Sequence, residues 1–79
     1  MPNFAFEWTP RAYEKLDDNN VTWQEFERIV RKATVIETSR STGKPACRGR
    51  IGNKVLFCIF EMIDDWRIKP TTAFWIHED

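Results

Sequence analysis

Apolar and polar positions alternate with a period near two at both ends of the chain, and at helical spacing between them. Asn3 to Trp8 puts Phe4, Phe6 and Trp8 on one side, which predicts a short first strand. Thr9-Pro10 reads as an N-cap followed by proline at the first helical position, where its missing N–H costs nothing. The helix so started should run to about Asp17, with Ala12, Tyr13 and Leu16 inward and Trp8 with Tyr13 at the spacing of a hydrophobic staple. Asp17-Asp18-Asn19-Asn20 ends it, because acids oppose the helix dipole there and an asparagine accepts a left-handed backbone. Thr22-Trp23-Gln24-Glu25 fits a capping box for a second helix, stapled by Val21 and Phe26. Its apolar stripe is Trp23, Phe26, Ile29, Val30 and Ala33; its polar face is Gln24, Glu27, Arg28, Arg31 and Lys32.

Thr34 to Thr38 is β-branched and predicts a strand, and Ser39 to Pro45 a polar, mobile loop carrying Arg40 and Lys44. Gly52-Asn53 between two β-rich runs predicts a two-residue hairpin, in which Arg50 faces Val55, Arg48 faces Phe57 and Cys47 faces Cys58. Arg48 and Arg50 then share one face, and Cys47, Gly49 and Ile51 the other. Val55 to Ile63, interrupted by Glu61, should be the most buried strand. The next reversal leaves two registers. A two-residue turn at Asp64-Asp65 sets Arg67 opposite Met62 and Lys69 opposite Phe60, away from Arg48 and Arg50. A loop over residues 62–66 sets Arg67 opposite Glu61 and Lys69 opposite Ile59, so that all four cations share a face; this is preferred because it pairs Arg67 with Glu61 and spares Lys69 a place beside core residues. Pro70 implies a bulge or an edge in the last strand, completed by Thr71, Thr72, Phe74 and Ile76. The expected fold is α+β over residues 1–79 as one domain: a short N-terminal strand and two helices packed on an antiparallel sheet of about four strands.

Eleven aromatic residues, four of them tryptophan, supply core volume that a 79-residue chain otherwise lacks. Twelve basic residues against twelve acidic argue against binding polyanions by bulk charge. Their distribution is uneven: Arg28 to Lys54 holds eight basic residues and one acid, Glu37, which permits a local phosphate-binding surface on a neutral chain. Met1 to Glu7 carries no export pattern and no stretch approaches a membrane span, so the expected location is cytoplasmic, with Cys47 and Cys58 as buried thiols near enough for a disulfide. These two cysteines and the single histidine, His77, lie on separate elements and do not compose a metal site; no metal and no small-molecule cofactor is expected. Glycine-rich phosphate loops and internal repeats are absent from the sequence.

Phe6-Glu7-Trp8-Thr9-Pro10, Lys15-Leu16, Asn20-Val21-Thr22-Trp23 and Glu25 resemble the opening of BrnT-type toxins, part of the wider RelE/ParE-like group. Gly49-Arg50-Ile51-Gly52, Val55-Leu56 and Pro70-Thr71-Thr72-Ala73-Phe74 resemble the hairpin and last strand of short relatives of that group. The resemblance implies a RelE/BrnT-like fold and a ribonuclease-like toxin, produced with an antitoxin that masks it and often represses their shared operon. Two departures stand out: Asp18-Asn19-Asn20 occupies a junction where BrnT-type sequences commonly carry Lys-His-Gly, and Phe74 follows Ala73 where they tend to carry arginine. By position the resemblance transfers Arg50 and, more loosely, Arg67 and Lys69.

Metal-independent RNA cleavage proceeds by attack of the 2′-OH on the adjacent phosphate, so the protein must position it, neutralise charge and move protons. The candidate catalytic residues are Arg50, Arg67 and Lys69 for charge and Glu61 as the carboxylate for base work, its pKa lowered by neighbouring arginines. Arg40, Lys44 and Arg48 are the candidate RNA-binding residues, with Tyr13 or Trp75 to stack a base. The expected partners are RNA and a cognate antitoxin, and not a membrane. Two alternatives stand beside this: a protein-interaction module whose cations serve an acidic antitoxin segment, and a non-catalytic nucleic-acid binder. In either, Glu61 with Arg67 is a plain cross-strand ion pair.

Overall fold

The computed structural model describes residues 4–76; Asn3 and His77 lie outside the described residues. The elements in chain order are β1 (Ala5–Phe6), α1 (Pro10–Asp18), α2 (Trp23–Lys32), β2 (Glu37–Thr38), β3 (Pro45–Ile51), β4 (Lys54–Met62) and β5 (Arg67–Ile76). Both helices start where their caps predict. The Thr9 hydroxyl accepts from Ala12 N–H at 3.2 Å with Pro10 following. Thr22 and Glu25 satisfy each other's backbone N–H at 3.2 and 2.9 Å, an arrangement worth about 1 kcal/mol. α1 stops at Asn19, and Asn20 takes the left-handed turn with φ 57°. Asn19 and Asn20 then tie the helix end to β5: Asn19 Nδ2 donates to Ala73 O at 2.9 Å and Trp75 Nε1 donates to Asn20 O at 3.1 Å.

The sheet has five strands in the order β1-β5-β4-β3-β2 and is mixed, which corrects the expectation of an antiparallel sheet of about four. β1 joins it parallel to β5, with Ala5 N–H donating to Trp66 O and Glu7 N–H to Ile68 O, both at 2.8 Å. A two-residue strand shows no period of its own, and this pairing spans some sixty positions of chain, so local pattern could not reveal it. The β3–β4 hairpin has the expected register, with Cys47 opposite Cys58 and Arg48 opposite Phe57. The expected strand over 34–38 shrinks to Glu37–Thr38, leaving Val35 and Ile36 exposed. Instead of an open loop, a turn closes β2 onto β3: Ser39 N–H donates to Lys44 O and Gly43 N–H to Ser39 O, both at 2.8 Å.

Both helices lie on one face. Their Leu16, Phe26, Ile29 and Val30 pack with Cys47, Leu56, Cys58, Phe60, Ile68 and Ala73 of the sheet. Phe26 is fully buried, edge-on to Phe6 (6.4 Å) and Trp8 (5.3 Å). Two residues expected inside are half exposed. Tyr13 stays at the surface stacked on Trp8 at 5.0 Å, and Trp23 is the first residue of α2, at the end of its apolar stripe.

Candidate nucleic-acid interface

Alternation along the strands sends one set of side chains to the helices and the other to the opposite face. On that second face stand Ala46, Arg48 and Arg50 of β3, Phe57, Ile59 and Glu61 of β4, and Lys69, Thr72, Phe74 and Ile76 of β5. The apolar cluster there, Ala46, Phe57 and Ile59 with Ile76 against them, is made of sheet residues alone. Phe57 and Phe74 lie 5.3 Å apart and the Arg48 guanidinium sits 5.2 Å over Phe57, a contact between a cation and an aromatic face.

The β4–β5 register matches neither expected arrangement. Glu61 faces Lys69, Met62 faces Ile68, and Ile63 N–H donates to Arg67 O at 2.9 Å, so the loop comprises Asp64, Asp65 and Trp66. Asp64 decides this: its Oδ1 accepts from Trp66 N–H at 3.1 Å and Arg67 N–H at 3.0 Å, a side chain standing in for a backbone turn. Lys69 falls on the face of Arg48 and Arg50, as in the preferred register, although opposite Glu61 instead of Ile59. A bulge at Ile59/Phe60 then absorbs one extra β5 residue beside Pro70, which cannot donate to the ladder.

The ion pairs also differ from expectation. Arg67 donates to Asp64 at 2.7 Å and to Glu7 at 3.5 Å, not to Glu61. Arg48 makes a bidentate pair with Glu37, at 2.9 and 2.7 Å. Glu61 instead accepts from Lys44 at 2.9 Å. That hydrogen bond, the Lys44 charge and then the Lys69 charge hold the Glu61 carboxyl below its ordinary range, which makes it a weaker base. The sign is that of a depressed acid: the pair stabilises the fold above the ordinary carboxylate pKa and loses its effect as pH falls through the lowered one. In Lys44→Ala the Glu61 titration, followed by NMR, should move back up toward the ordinary range; an unmoved midpoint would exclude this pair as its cause.

The cations therefore share a side without meeting at one spot. Phe57, opposite Arg48, and Glu61, opposite Lys69, are four residues apart on β4, about 13 Å at strand rise. At one end an open cleft of about 380 Å³ gathers Arg40, Arg48, Phe57, Phe74 and Glu37. At the other a cleft of about 310 Å³ gathers Lys44, Glu61 and Lys69 with Arg11 and Lys15 of α1. Arg50 lies opposite Val55, beyond Arg48 and further from Lys69. The expected convergence of Arg48, Arg50, Arg67 and Lys69 does not form: Arg48 lines one cleft, Lys69 the other, and Arg50 and Arg67 line neither, because shared parity fixes the side of a sheet but not the position along it.

No protein-family model, no curated protein and no solved structure matches this chain. On the cationic face the exposed aromatic ring is that of Phe74, laid against a buried Phe57, where Tyr13 and Trp75 were expected to stack a base. Tyr13 is spent on Trp8 and Trp75 packs against the helix-side core. Arg11 and Lys15 were missed as site residues; their i, i+4 spacing was visible, but only the fold sets them beside Lys69. Cys47 and Cys58 are buried free thiols facing each other on the helix side. The interaction with Cys47, in which Cys58 keeps its proton, together with burial pushes the Cys58 thiol up. Among the described residues no cluster of His, Cys, Asp and Glu is placed to hold a metal, and no helix is long and apolar enough to cross a membrane.

Proposed function

We propose that the chain is a toxin-like, RNA-acting module of the RelE/BrnT type, a metal-independent endoribonuclease in class, working in the cytoplasm with a cognate antitoxin. One observation carries this reading: arginines and lysines from adjacent strands stand with paired aromatic rings on the sheet face that the helices leave uncovered. Single-stranded RNA is held by that combination, cations on the phosphates and rings under the bases. The order strand, helix, helix, then a run of strands is the α+β arrangement that this reading expects. In this reading Arg48 and Arg50 hold the backbone, Phe74 stacks a base over the buried Phe57, and Lys69 meets a further phosphate of the strand.

A second reading, an inactive relative that binds RNA or protein without cleaving, is favoured by the ion pairs. Glu61 is engaged by Lys44, and Arg67 by Asp64, so the groups expected to move protons and stabilise charge are already committed. The test compares wild type with Arg48→Ala on single-stranded RNA at several salt concentrations. Arg48→Ala should weaken binding, and the slope of log affinity against log salt should become shallower by about 0.7 for the lost phosphate contact. Product analysis at matched stability separates cleavage from binding alone. Wild-type protein that neither binds nor cuts RNA at low salt would end both RNA readings.

A further inference from the structure

The cleft beside α1 has a composition that fold stability does not require. Arg11 and Lys15 line it from one flank of the helix, and Lys44, Glu61 and Lys69 from a row across the ends of β3, β4 and β5. Thr9 and Thr71 add hydroxyls. The Lys44–Glu61 pair is neutral, which leaves three cations. Among the described residues none of Arg11, Lys15 and Lys69 has a carboxylate within 4 Å.

Two features of α1 run against its own stability. Arg11 stands in the first turn, where the helix dipole favours acids, and that turn holds none. Arg11 and Lys15 are also like charges at i and i+4, a repulsive spacing. The cleft opens where it does because β1 pairs only with Arg67 and Ile68. Past that point the outer edge of β5 is free of β1, and the bulge interrupts the β4–β5 ladder beside Pro70.

We propose that this cleft is a phosphate-monoester subsite that takes the terminal phosphate of an RNA strand. A net excess of three positive charges, with Glu61 lying between Lys44 and Lys69, matches a monoester, with its charge near −2 and three acceptor oxygens, better than a singly charged phosphodiester or a carboxylate. The volume of about 310 Å³ accommodates a phosphate with its sugar and leaves the strand to continue toward the second basic site. As a site for an RNA end the subsite rests on the function proposed above; as a phosphate site it does not.

The experiment measures binding of one short RNA made with a 5′-phosphate and with a 5′-hydroxyl, and separately of adenosine monophosphate and inorganic phosphate. Wild type and Arg11→Gln/Lys15→Gln are compared, both changes lying at the rim of α1. The expected result is about tenfold tighter binding of the phosphorylated strand by wild type, and no discrimination by the double variant. Binding of adenosine monophosphate or phosphate but of neither strand, abolished in the variant, would keep the subsite and remove the RNA reading. Equal binding of both strands by wild type would overturn the subsite and leave that reading standing. So would an acidic peptide that binds here, lost in the variant, with no response to any phosphate.

Discussion

Phe26→Ala should cost about 3–5 kcal/mol, the range for emptying a buried aromatic site. Phe26 is wholly excluded from solvent, and its ring is the meeting point of three parts of the chain: β1 through Phe6, the segment before α1 through Trp8, and the helix–sheet core. Those neighbours are held by their own bonds. Trp8 Nε1 donates to Glu27 at 2.9 Å, and β1 is hydrogen-bonded to β5, so the cavity cannot close easily. A domain of 79 residues has a total stability on the order of 4–12 kcal/mol, so the variant should be partly or largely unfolded. Trp23→Ala, on the same helix but 45% exposed, should cost about 1 kcal/mol or less. Urea unfolding of the two decides the matter, and a larger loss for Trp23→Ala would refute the packing described.

Gly49→Ala should destabilise by about 1–3 kcal/mol through overpacking, although the added group is a single methyl. Gly49 is the point at which α2 rests on β3: a Cβ placed there would lie 2.8 Å from Ile29 Cδ1 and 3.3 Å from Ile29 Cγ2. Ile29 is itself buried among core residues, so its Cδ1 has little room to swing aside. Ile29→Val removes that atom and alone should cost about 0.5–1.5 kcal/mol. The double variant should therefore be more stable than the two single losses added, by about 1 kcal/mol in a double-mutant cycle. Strict additivity would show that Gly49 is chosen for some reason other than this contact.

Local chemistry was readable wherever a few neighbouring residues settle the outcome. The Thr9-Pro10 start, the Thr22–Glu25 capping box, the left-handed asparagine after α1 and the Gly52-Asn53 hairpin follow from hydrogen bonds and backbone preferences within four or five positions. Because side chains alternate along a strand, that hairpin also determined that Arg48 and Arg50 share a face opposite Cys47 and Gly49. Even the helix-side core was largely legible, in the stripe of Phe26, Ile29 and Val30.

Only the tertiary structure decided the rest. β1 beside β5, Arg11 and Lys15 beside Lys69, and Lys44 on Glu61 are contacts between segments far apart in the chain. The β4–β5 register turned on which backbone groups one carboxylate, Asp64, would accept, and period alone leaves that choice open. Side-chain charge can be counted along a chain, but whether a cation is spent on a neighbour or left facing solvent depends on distances of a few ångströms. Those distances are set by the packing of the whole sheet and its two helices.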